Sequence, residues 1–534
     1  MKIKSLWVSE YKNLKDINLT FSTNLITLLV GQNGLGKSNL IEILTIIFKD
    51  LAALNKEEEY KNWAYYTEKG QFEFEINFEN KDWNIFVTLK KDFFEVRAQD
   101  TFLNENLKML SFREFAGLRH LFLPTFVIGY YSGENRRLKE IVEDYVEKQK
   151  KQQRDFHRRI TKPEQSLRKL FFAESFHSQL LLLTLAVYRE KEDYKDLIDS
   201  FFTEYLEIES IETFDIRFNN PRSKYFKQLE KSADYFLENF TNKKDNEIVE
   251  NPFWNLKGKI NSLITVLFNH HLDNDSYLIY DNEGEDKRRF ITEFLELKDT
   301  SIEEIQEEIY AVFNHPLDFF DALESSNVLE ILNRIDITVK KVGVEQPIKF
   351  SHLSEGQQQL LSVIGLVLIA GKDDCLLLLD EPDTHINPKW QRNFVDLLRT
   401  YNLNNSNNHI FLATHSPLLV QAYEDEDLLL FRREGQNVVI DSENHEIKNW
   451  RIDQVLQSEY FNISNVRPPS LDNFMKIREE ILTKAIVTDD DIRYLKRIDE
   501  EEGMLPSGET LNDFKTMRLL NEVLQQISND EKNR

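Results

Sequence analysis

The 534-residue sequence contains a single cysteine, Cys375, and no apolar run of eighteen residues. One cysteine excludes an intrachain disulfide and is typical of a protein in a reducing compartment. The missing apolar run argues against a hydrophobic helix that spans a membrane. The opening residues, Met1-Lys2-Ile3-Lys4, give no indication of a signal peptide. We therefore expect a cytoplasmic protein without membrane contact.

Positive charge is also in short supply, with 67 Lys and Arg against 92 Asp and Glu and a net charge of −25. An acidic protein repels phosphate backbones, which disfavours sequence-independent DNA binding unless basic groups cluster. Residues 148–162 are such a cluster, with seven basic side chains and one acid, Asp155. Two interpretations stay open: a solvated helix surface or a phosphate-contacting patch.

The composition is that of a packed protein, with 41% hydrophobic and 12% aromatic residues. Apolar periodicity predicts strands and helices along most of the chain. The predicted strands lie at 3–8, 17–22, 24–30, 71–78 with a hairpin partner at 84–97, 125–129, 335–341, 376–379 and 409–413. Helices are predicted at 37–48 and 355–370. Residues 136–332 look mostly helical but lack the heptads of a coiled coil, so we interpret them as a compact helical lobe.

A glycine-rich loop follows the predicted strand at 24–30. Its sequence, Gly31-Gln32-Asn33-Gly34-Leu35-Gly36-Lys37-Ser38, fits the phosphate-loop pattern G-x-x-x-x-G-K-[ST]. Glycines let backbone N–H groups curl around a β-phosphate, and the N-terminus of the next helix faces the same anion. We expect Lys37 to reach the β- and γ-phosphates of ATP and Ser38 to bind Mg²⁺. The predicted nucleotide contacts here are Gly31, Asn33, Gly34, Gly36, Lys37, Ser38 and Asn39.

Two adjacent acids follow the apolar run at 376–379. Four apolar residues in succession indicate a buried central strand, and Asp380 emerges at its carboxyl end, where it can hold the water shell of the metal. Glu381, one residue further, is placed to act as general base on the attacking water. Without the phosphate loop, the pair would also fit a helix N-cap.

A third motif, Leu353-Ser354-Glu355-Gly356-Gln357, begins the predicted helix at 355–370. It resembles the LSGGQ-type signature of ABC and SMC-related ATPases, in which the Ser and Gly bind the γ-phosphate of the nucleotide held by the opposite subunit. The resemblance implies that Ser354, Gly356 and Gln357 contact ATP across a head-to-head dimer. Read alone, Ser354 also fits an ordinary N-cap.

The fourth motif is Ala413-Thr414-His415-Ser416-Pro417, directly after a predicted strand. The switch histidine of the same family stands at this place, near the γ-phosphate and the catalytic glutamate. The resemblance therefore implies that Glu381 and His415 are the catalytic residues. A lone histidine after a strand would otherwise be structural.

The segment Asp380-Glu381-Pro382-Asp383-Thr384-His385-Ile386-Asn387-Pro388 resembles the DEPExHLHP form of RecF-like, OLD-family and defence-associated ATPases. Transporter ATPases have DEPTSALD there, so a transporter is the least favoured reading. The related families also carry N-F-R-S-L ahead of the phosphate loop. This chain has Glu10-Tyr11-Lys12-Asn13-Leu14, so the resemblance adds Lys12 to the nucleotide contacts. Lysine supplies the charge of the usual arginine without its bidentate fork.

Two more segments, Gly129-Tyr130-Tyr131-Ser132-Gly133-Glu134-Asn135-Arg136-Arg137 and Gln457-Ser458-Glu459-Tyr460-Phe461, resemble ATPases found beside nucleases in bacterial anti-phage systems. The Septu ATPase subunit and its retron-associated versions are the nearest in pattern. The resemblance implies an α/β fold, namely an ABC-type P-loop NTPase head with a mixed sheet and an antiparallel β subdomain. The expected divisions are 1–135 and 333–450 for the two halves of the ATPase domain, 136–332 for the helical insertion, and 451–534 for a helical extension that docks partners.

The implied function is an ATPase that uses ATP and Mg²⁺ and whose ATP-dependent dimer closure controls a nuclease partner, of the HNH type. We expect no nuclease activity in this chain, because the residues after His415 lack the strand-borne acids that metal chemistry needs. Asp489-Asp490-Asp491 reads as a helix N-terminus. The rival interpretation is a RecF/SMC-like repair ATPase that clamps DNA, or retron msDNA, through residues 148–162.

Overall fold

The computed structural model covers the whole chain and divides it into two units, Met1–Trp450 and Arg451–Arg534. No helix in the described part of the chain is long and apolar enough to cross a membrane. The residues that the structure describes are 1–22, 24–54, 72–91, 93–103, 106–132, 137–158, 170–219, 256–268, 294–370, 374–403, 408–424, 426–442, 447, 450–463, 466, 468–484 and 487–501.

The strands of the first unit are β1 (Lys2–Tyr11), β2 (Leu14–Thr20), β3 (Ile26–Gly31), β4 (Phe74–Asn80), β5 (Trp83–Lys90), β6 (Phe93–Asp100), β7 (Lys108–Met109), β8 (Val127–Tyr131), β9 (Leu170–Ala173), β10 (Ile208–Asn219), β11 (Phe294–Thr300), β12 (Leu332–Lys341), β13 (Ile348–Lys349), β14 (Leu376–Asp380), β15 (His409–Ala413), β16 (Asp427–Glu434) and β17 (Asn437–Asp441). Its helices are α1 (Lys37–Ala53), α2 (Phe112–Phe122), α3 (Arg137–Arg158), α4 (Ser175–Tyr188), α5 (Lys195–Ser200), α6 (Gly258–Phe268), α7 (Gln306–Val312), α8 (Pro316–Val328), α9 (Glu355–Ala370), α10 (Pro388–Leu403) and α11 (Pro417–Gln421).

The central sheet has seven strands in the order β17-β16-β3-β15-β14-β8-β9. Every neighbouring pair is parallel except β16 and β17. All five residues of β14 are buried, because the sheet is covered on both faces, as the apolar run predicted. Since β3, β15 and β14 lie side by side and parallel, their carboxyl ends meet at one edge of the sheet. That edge brings together the phosphate loop, Asp380 and His415.

A six-stranded sheet in the order β2-β1-β4-β5-β6-β7 is the expected antiparallel subdomain. Its strands alternate: Phe74, Ile76 and Phe78 are buried, while Glu75 between them is exposed. The predicted hairpin partner at 84–97 is two strands, because the chain turns after Lys90 and β5 pairs antiparallel with β6.

The expectation of a helical lobe at 136–332 is wrong for part of that segment. Helices α3 to α8 are there, but β9 extends the central sheet, and β10 and β11 form a four-stranded sheet with β12 and β13. The apolar run Leu170-Phe171-Phe172-Ala173 supplies a strand that is paired in parallel with β8. In β10 the inward side chains are Ile208, Ile211, Phe214, Ile216 and Phe218.

The unit Arg451–Arg534 contains α12 (Ile452–Gln457), α13 (Asp472–Thr483) and α14 (Asp489–Glu501). A small core of Phe474, Ile481 and Leu495 holds α13 against α14. The reading of Asp489-Asp490-Asp491 as a helix N-terminus is confirmed, since α14 begins at Asp489. Acids in the first turn complement the positive end of the helix dipole.

Candidate nucleotide site

The phosphate loop connects β3 to α1 in a shape that excludes side chains at two of its glycines. Gly31 has a φ of +145°, and a Cβ there would lie 2.4 Å from the carbonyl oxygen of Phe431. Gly36 has a φ of +101° and caps α1, and its Cβ would lie 2.8 Å from Asn13 Oδ1. The loop therefore curls as the motif predicted and presents the start of α1 to an anion.

Asn13 holds the phosphate loop from the turn between β1 and β2. Its side-chain amide donates to the carbonyl oxygen of Gly34 at 3.0 Å, and its Oδ1 accepts from Asn39 Nδ2 at 2.6 Å. These two bonds bracket Gly36 on either side. Sequence reasoning quoted Asn13 only as part of a motif and missed this contact. Asn39, predicted to contact nucleotide, is 8% exposed and bonded to Asn13; Asn33 is exposed in the loop.

Lys37 lies inside the site, and its side chain is directed back along the loop. Only 4% of the residue is exposed, and Nζ donates to the carbonyl oxygens of Gly31 at 2.7 Å and Gln32 at 3.3 Å. Burial lowers the pKa of Lys37 from 10.5 to about 8, against the opposing attraction of Glu381 and Asp380. The ammonium is thus already in place before nucleotide binds, and the negative charge of a bound phosphate would stabilise its protonated form.

Asp380 ends β14 beside the phosphate loop. It is 1% exposed, and its carboxylate accepts a hydrogen bond from the Ser38 side chain. Burial raises the pKa of Asp380 to about 6. The second oxygen, Oδ2, is buried and has no hydrogen-bond partner among the described residues. A buried, unpartnered carboxylate oxygen beside a serine hydroxyl is a donor set that suits Mg²⁺ or its water shell.

Glu381 and His415 meet at the same edge. His415 Nε2 lies 3.2 Å from Glu381 Oε1, and His415 Nδ1 lies 3.3 Å from Lys37 Nζ. Because an ammonium only donates, Nδ1 accepts, so Nε2 carries the proton and donates to Glu381. This hydrogen bond lowers the pKa of Glu381. The structure therefore joins the predicted Lys37, His415 and Glu381 in one chain of contacts.

The backbone of Glu381 is held in a conformation that is unfavourable for a non-glycine residue. Its φ is +51°, in the left-handed region, which costs about 1 kcal/mol or more. A hydrogen bond from its N–H to the carbonyl oxygen of Ala413 at 2.9 Å ties it to the end of β15. Backbone strain of this kind is enriched at functional sites, and the carboxylate of this residue lies 3.2 Å from His415 Nε2.

The signature segment lies at the start of α9, against the loop that follows β14. Ser354 is exposed and forms a reciprocal cap with Gln357, each side chain bonding the backbone N–H of the other at 3.2 Å. A Cβ on Gly356 would lie 2.6 Å from the carbonyl oxygen of His385. Gln357 is 5% exposed and donates to the carbonyl oxygen of Leu206 at 2.8 Å. The expected nucleotide contact of Gln357 would require that side chain to leave both partners.

Lys12 is paired with a carboxylate on the phosphate-loop helix. Its Nζ forms an ion pair with Glu42, a residue 1% exposed that also accepts from the Tyr11 hydroxyl at 2.7 Å. Glu42 stands one helical turn beyond Ser38, so Lys12 lies close behind the site. Its contact with nucleotide stays a prediction.

The basic segment lies mainly on α3. Lys148, Lys150, Lys151 and Arg154 are on this helix, and Lys150 bonds Glu147 at 2.9 Å. Arg159 and Lys162 lie outside the described residues. So do Gly133 to Arg136 of the segment Gly129 to Arg137 that resembles defence ATPases. No group of three or more His, Cys, Asp or Glu within the described ranges is arranged to hold a metal ion.

A phosphate loop after β3, an acid pair at the end of β14 and a histidine after β15, the strand between them, define a candidate P-loop nucleotide site. Residues 1–420 match the AAA ATPase domain family. This match extends over more than half of the chain, and the protein belongs to that family.

The chain is also similar to one protein by sequence and to several solved structures. The chain is 31% identical over 106 residues to the retron Vc95 probable ATPase of Vibrio cholerae serotype O1 biovar El Tor. The alignment covers 18% of this chain and 20% of that protein, so the chain spans about a fifth of the relative's length.

Solved structures that align with the chain include an SMC head domain with an extended coiled coil, bound to the C-terminal domain of ScpA, from Pyrococcus furiosus. It is 12% identical and has a TM-score of 0.32 over 83% of this chain and 96% of that chain. RecF with ATP, a recombination mediator protein, is 15% identical and has a TM-score of 0.29 over 82% and 98%. The family assignment rests on the sequence match alone.

Proposed function

We propose that this ATPase is the switch subunit of a bacterial anti-phage defence complex, in which ATP-dependent closure of a head-to-head dimer controls an associated nuclease. The contact chain from Lys37 through His415 to Glu381 carries the hydrolytic part of the proposal. It aligns a cation for the phosphates, a carboxylate for water and a histidine that orients the carboxylate. Turnover would be slow and regulated, since half of each site would come from a second copy.

The reaction is hydrolysis of the γ-phosphate of ATP. Lys37 binds phosphate oxygens, and the phosphate charge holds its proton in place. Glu381 stays ionised because its pKa is lowered, and it orients the attacking water and accepts a proton from it. A loose phosphoryl-transfer transition state needs an oriented nucleophile more than a strong base, so a low pKa at Glu381 is compatible with catalysis. His415 holds the Glu381 carboxylate in position.

Mg²⁺ would be held by Ser38 and Asp380, and when bound it would neutralise charge on the phosphates. The buried Oδ2 of Asp380, for which the described part of the chain offers no hydrogen-bond partner, supports this assignment. A water in the metal's shell would satisfy that oxygen and offset the cost of its burial.

The exposed Ser354 and the start of α9 support a site shared between two copies. A helix N-terminus offers N–H groups to an anion, so Ser354 and Gly356 of one protomer can bind the γ-phosphate held by the Lys37 of its partner. Hydrolysis removes that phosphate and thereby the link between protomers. The nuclease partner, of the HNH type, would respond to the difference between open and closed dimers.

Two substitutions test the hydrolytic role and the dimer together. Glu381→Gln keeps the shape of the side chain but cannot take a proton, so it should trap an ATP-bound dimer with hydrolysis reduced by about 100-fold or more. Lys37→Ala should abolish ATP binding and leave a monomer. Sedimentation with and without ATP and a phosphate-release assay measure both. Glu204→Gln, an exposed glutamate in residues 201–206, is the matched control. Wild-type hydrolysis by Glu381→Gln would remove Glu381 from its assigned role.

The similarity to a retron ATPase supports a defence role, and the single cysteine supports the proposed cytoplasmic location. The second candidate is a clamp that binds DNA or retron msDNA directly, favoured by the basic side chains on α3. A clamp would lose affinity steeply with salt, and the slope would fall when Arg158 and Arg159 are neutralised. A flat salt series with wild-type protein, with and without ATP, would instead favour control of a nuclease partner without direct DNA binding.

A further inference from the structure

We propose that Asp383 is a positioning residue for hydrolysis: by holding Thr414, it fixes the loop that carries His415 against Glu381. The inference rests on the proposed roles of Glu381 and His415. Asp383 lies in the loop after β14, and Thr414 lies in the loop after β15, so the contact joins the two loops that supply the catalytic pair.

The contact between Asp383 and Thr414 is buried and short. Asp383 is 5% exposed and Thr414 is fully buried. Thr414 Oγ1 lies 3.1 Å from each oxygen of the Asp383 carboxylate and donates its one proton to them. The same Oγ1 accepts the backbone N–H of Ser416 at 2.9 Å. His415 is the residue between Thr414 and Ser416, so one hydroxyl fixes the backbone on both sides of it.

A second connection runs through Gln391 on α10. Its side-chain amide donates to the carbonyl oxygens of Asp383 at 2.9 Å and Ile386 at 3.0 Å. Its Oε1 accepts from the Ser416 hydroxyl at 2.9 Å. The loop after β14 and the loop after β15 are therefore joined at Thr414 and again at Ser416. His415 lies between these two connections in the chain, and its imidazole reaches Glu381.

Burial raises the pKa of Asp383 to about 6, so the carboxyl group is costly to keep ionised at this place. The hydrogen bond from Thr414 opposes that shift. A small apolar residue would fill the space without this cost but would leave the Thr414 hydroxyl with no acceptor. The buried acid is therefore explained by the loop that it holds.

Paired variants at Thr414 test the inference. Thr414→Val fills nearly the same volume without the hydroxyl, whereas Thr414→Ser keeps the hydroxyl. We expect kcat for ATP to fall between about 10-fold and 100-fold in Thr414→Val, as misplacement of a catalytic group does. The KM should stay within about twofold, since the phosphate loop and the two carbonyl oxygens that hold Lys37 are unchanged. Thr414→Ser should retain most of the wild-type kcat.

Variants at Asp383 complete the thermodynamic cycle. Asp383→Ala should lower kcat as Thr414→Val does, and Asp383→Asn, which keeps an acceptor oxygen, should restore most of it. The double variant Asp383→Ala/Thr414→Val should lose no more than either single variant, because both remove the same contact. If Asp383→Ala fails to fold, the Thr414 pair decides alone.

Three results would overturn the inference: wild-type kcat in Thr414→Val, equal losses in kcat and ATP affinity, or additive losses in the double variant. Failure of this inference can be distinguished from failure of the proposed function. If Glu381→Gln is inactive while Thr414→Val is normal, the catalytic role of Glu381 stands and the positioning role of Asp383 falls. If Glu381→Gln is fully active, the proposed function itself falls.

Discussion

Replacing Lys37 by methionine should stabilise the nucleotide-free protein while it removes ATP binding. Lys37 is 4% exposed, and its ammonium is held by two carbonyl oxygens and a histidine nitrogen. No carboxylate within the described ranges is among its hydrogen-bond partners. Function therefore requires a charge at a place where folding disfavours it. Methionine has nearly the same length and needs no solvation.

The expected change in the free energy of unfolding follows from the pKa of Lys37. Burial lowers the pKa of Lys37 from 10.5 to about 8, which at ~1.4 kcal/mol for each pKa unit corresponds to ~3 kcal/mol of lost stability at pH 7. Methionine removes that cost but leaves the carbonyl oxygens of Gly31 and Gln32 without their donor, at ~1 kcal/mol each. The free energy of unfolding should therefore rise by ~1 kcal/mol in Lys37→Met.

The pH dependence identifies the cause. The unfolded chain keeps the proton on Lys37 up to about pH 10.5, whereas the folded protein releases it near pH 8. The loss of stability caused by burying the charged Lys37 is therefore complete below pH 8 and declines as the pH rises toward 10.5. The difference in the free energy of unfolding between Lys37→Met and wild type should therefore decrease between about pH 8 and about pH 10.5.

Thermal or urea unfolding at pH 7 and pH 9, with and without ATP and Mg²⁺, measures both effects. Wild type should gain ~2.7 kcal/mol at an ATP concentration of 100 times Kd, and Lys37→Met should gain nothing. Lys49→Met is the matched control on the same helix, because Lys49 pairs with the buried Asp50 at 3.3 Å and its loss should destabilise. A Lys37→Met protein less stable than wild type at pH 7 would refute the reasoning.

Two further predictions concern the borders of the site. Asn13→Ala removes both bonds that hold the phosphate loop, so the KM for ATP should rise about 5-fold to 30-fold with little change in kcat; steady-state kinetics decide, and an unchanged KM would contradict the role. Gly356→Ala should impair hydrolysis, because its Cβ would lie 2.6 Å from the carbonyl oxygen of His385. Gly365→Ala, whose Cβ would meet Leu181 at an ordinary 3.4 Å, should be tolerated. Equal activity of the two alanine variants would argue against that contact.

The strand–loop–helix order of the central sheet could be predicted because it is written in short contiguous patterns. The run Leu376-Leu377-Leu378-Leu379 marks a strand covered on both faces, and the following acids mark its carboxyl end. The sheet formed by β10 was missed for a physical reason. Register shifts near Ile208, Ile211 and Arg217 interrupt the alternation of period two that would have revealed the strand.

Side-chain partners were harder to predict than elements. Gln357 matched a nucleotide-binding signature, yet the fold uses it to cap α9 and to satisfy the carbonyl oxygen of Leu206. Asn13 and Asp383 gave no separate signal, because single polar residues acquire a role only from what the fold packs against them. Sequence patterns identify groups that can do chemistry, and packing selects which of them are held in place.

The sequence by itself determined which groups are available for the proposed hydrolysis. The phosphate loop, the acids Asp380 and Glu381, and His415 each lie at or just after the end of a strand, and each motif carries its chemistry within a few residues. Only the tertiary structure decided how they meet. Lys37 and His415 are 378 positions apart, and they touch because β3 and β15 are parallel neighbours whose carboxyl ends share one edge. Parallel pairing of distant segments depends on the whole core, so no local pattern could specify it.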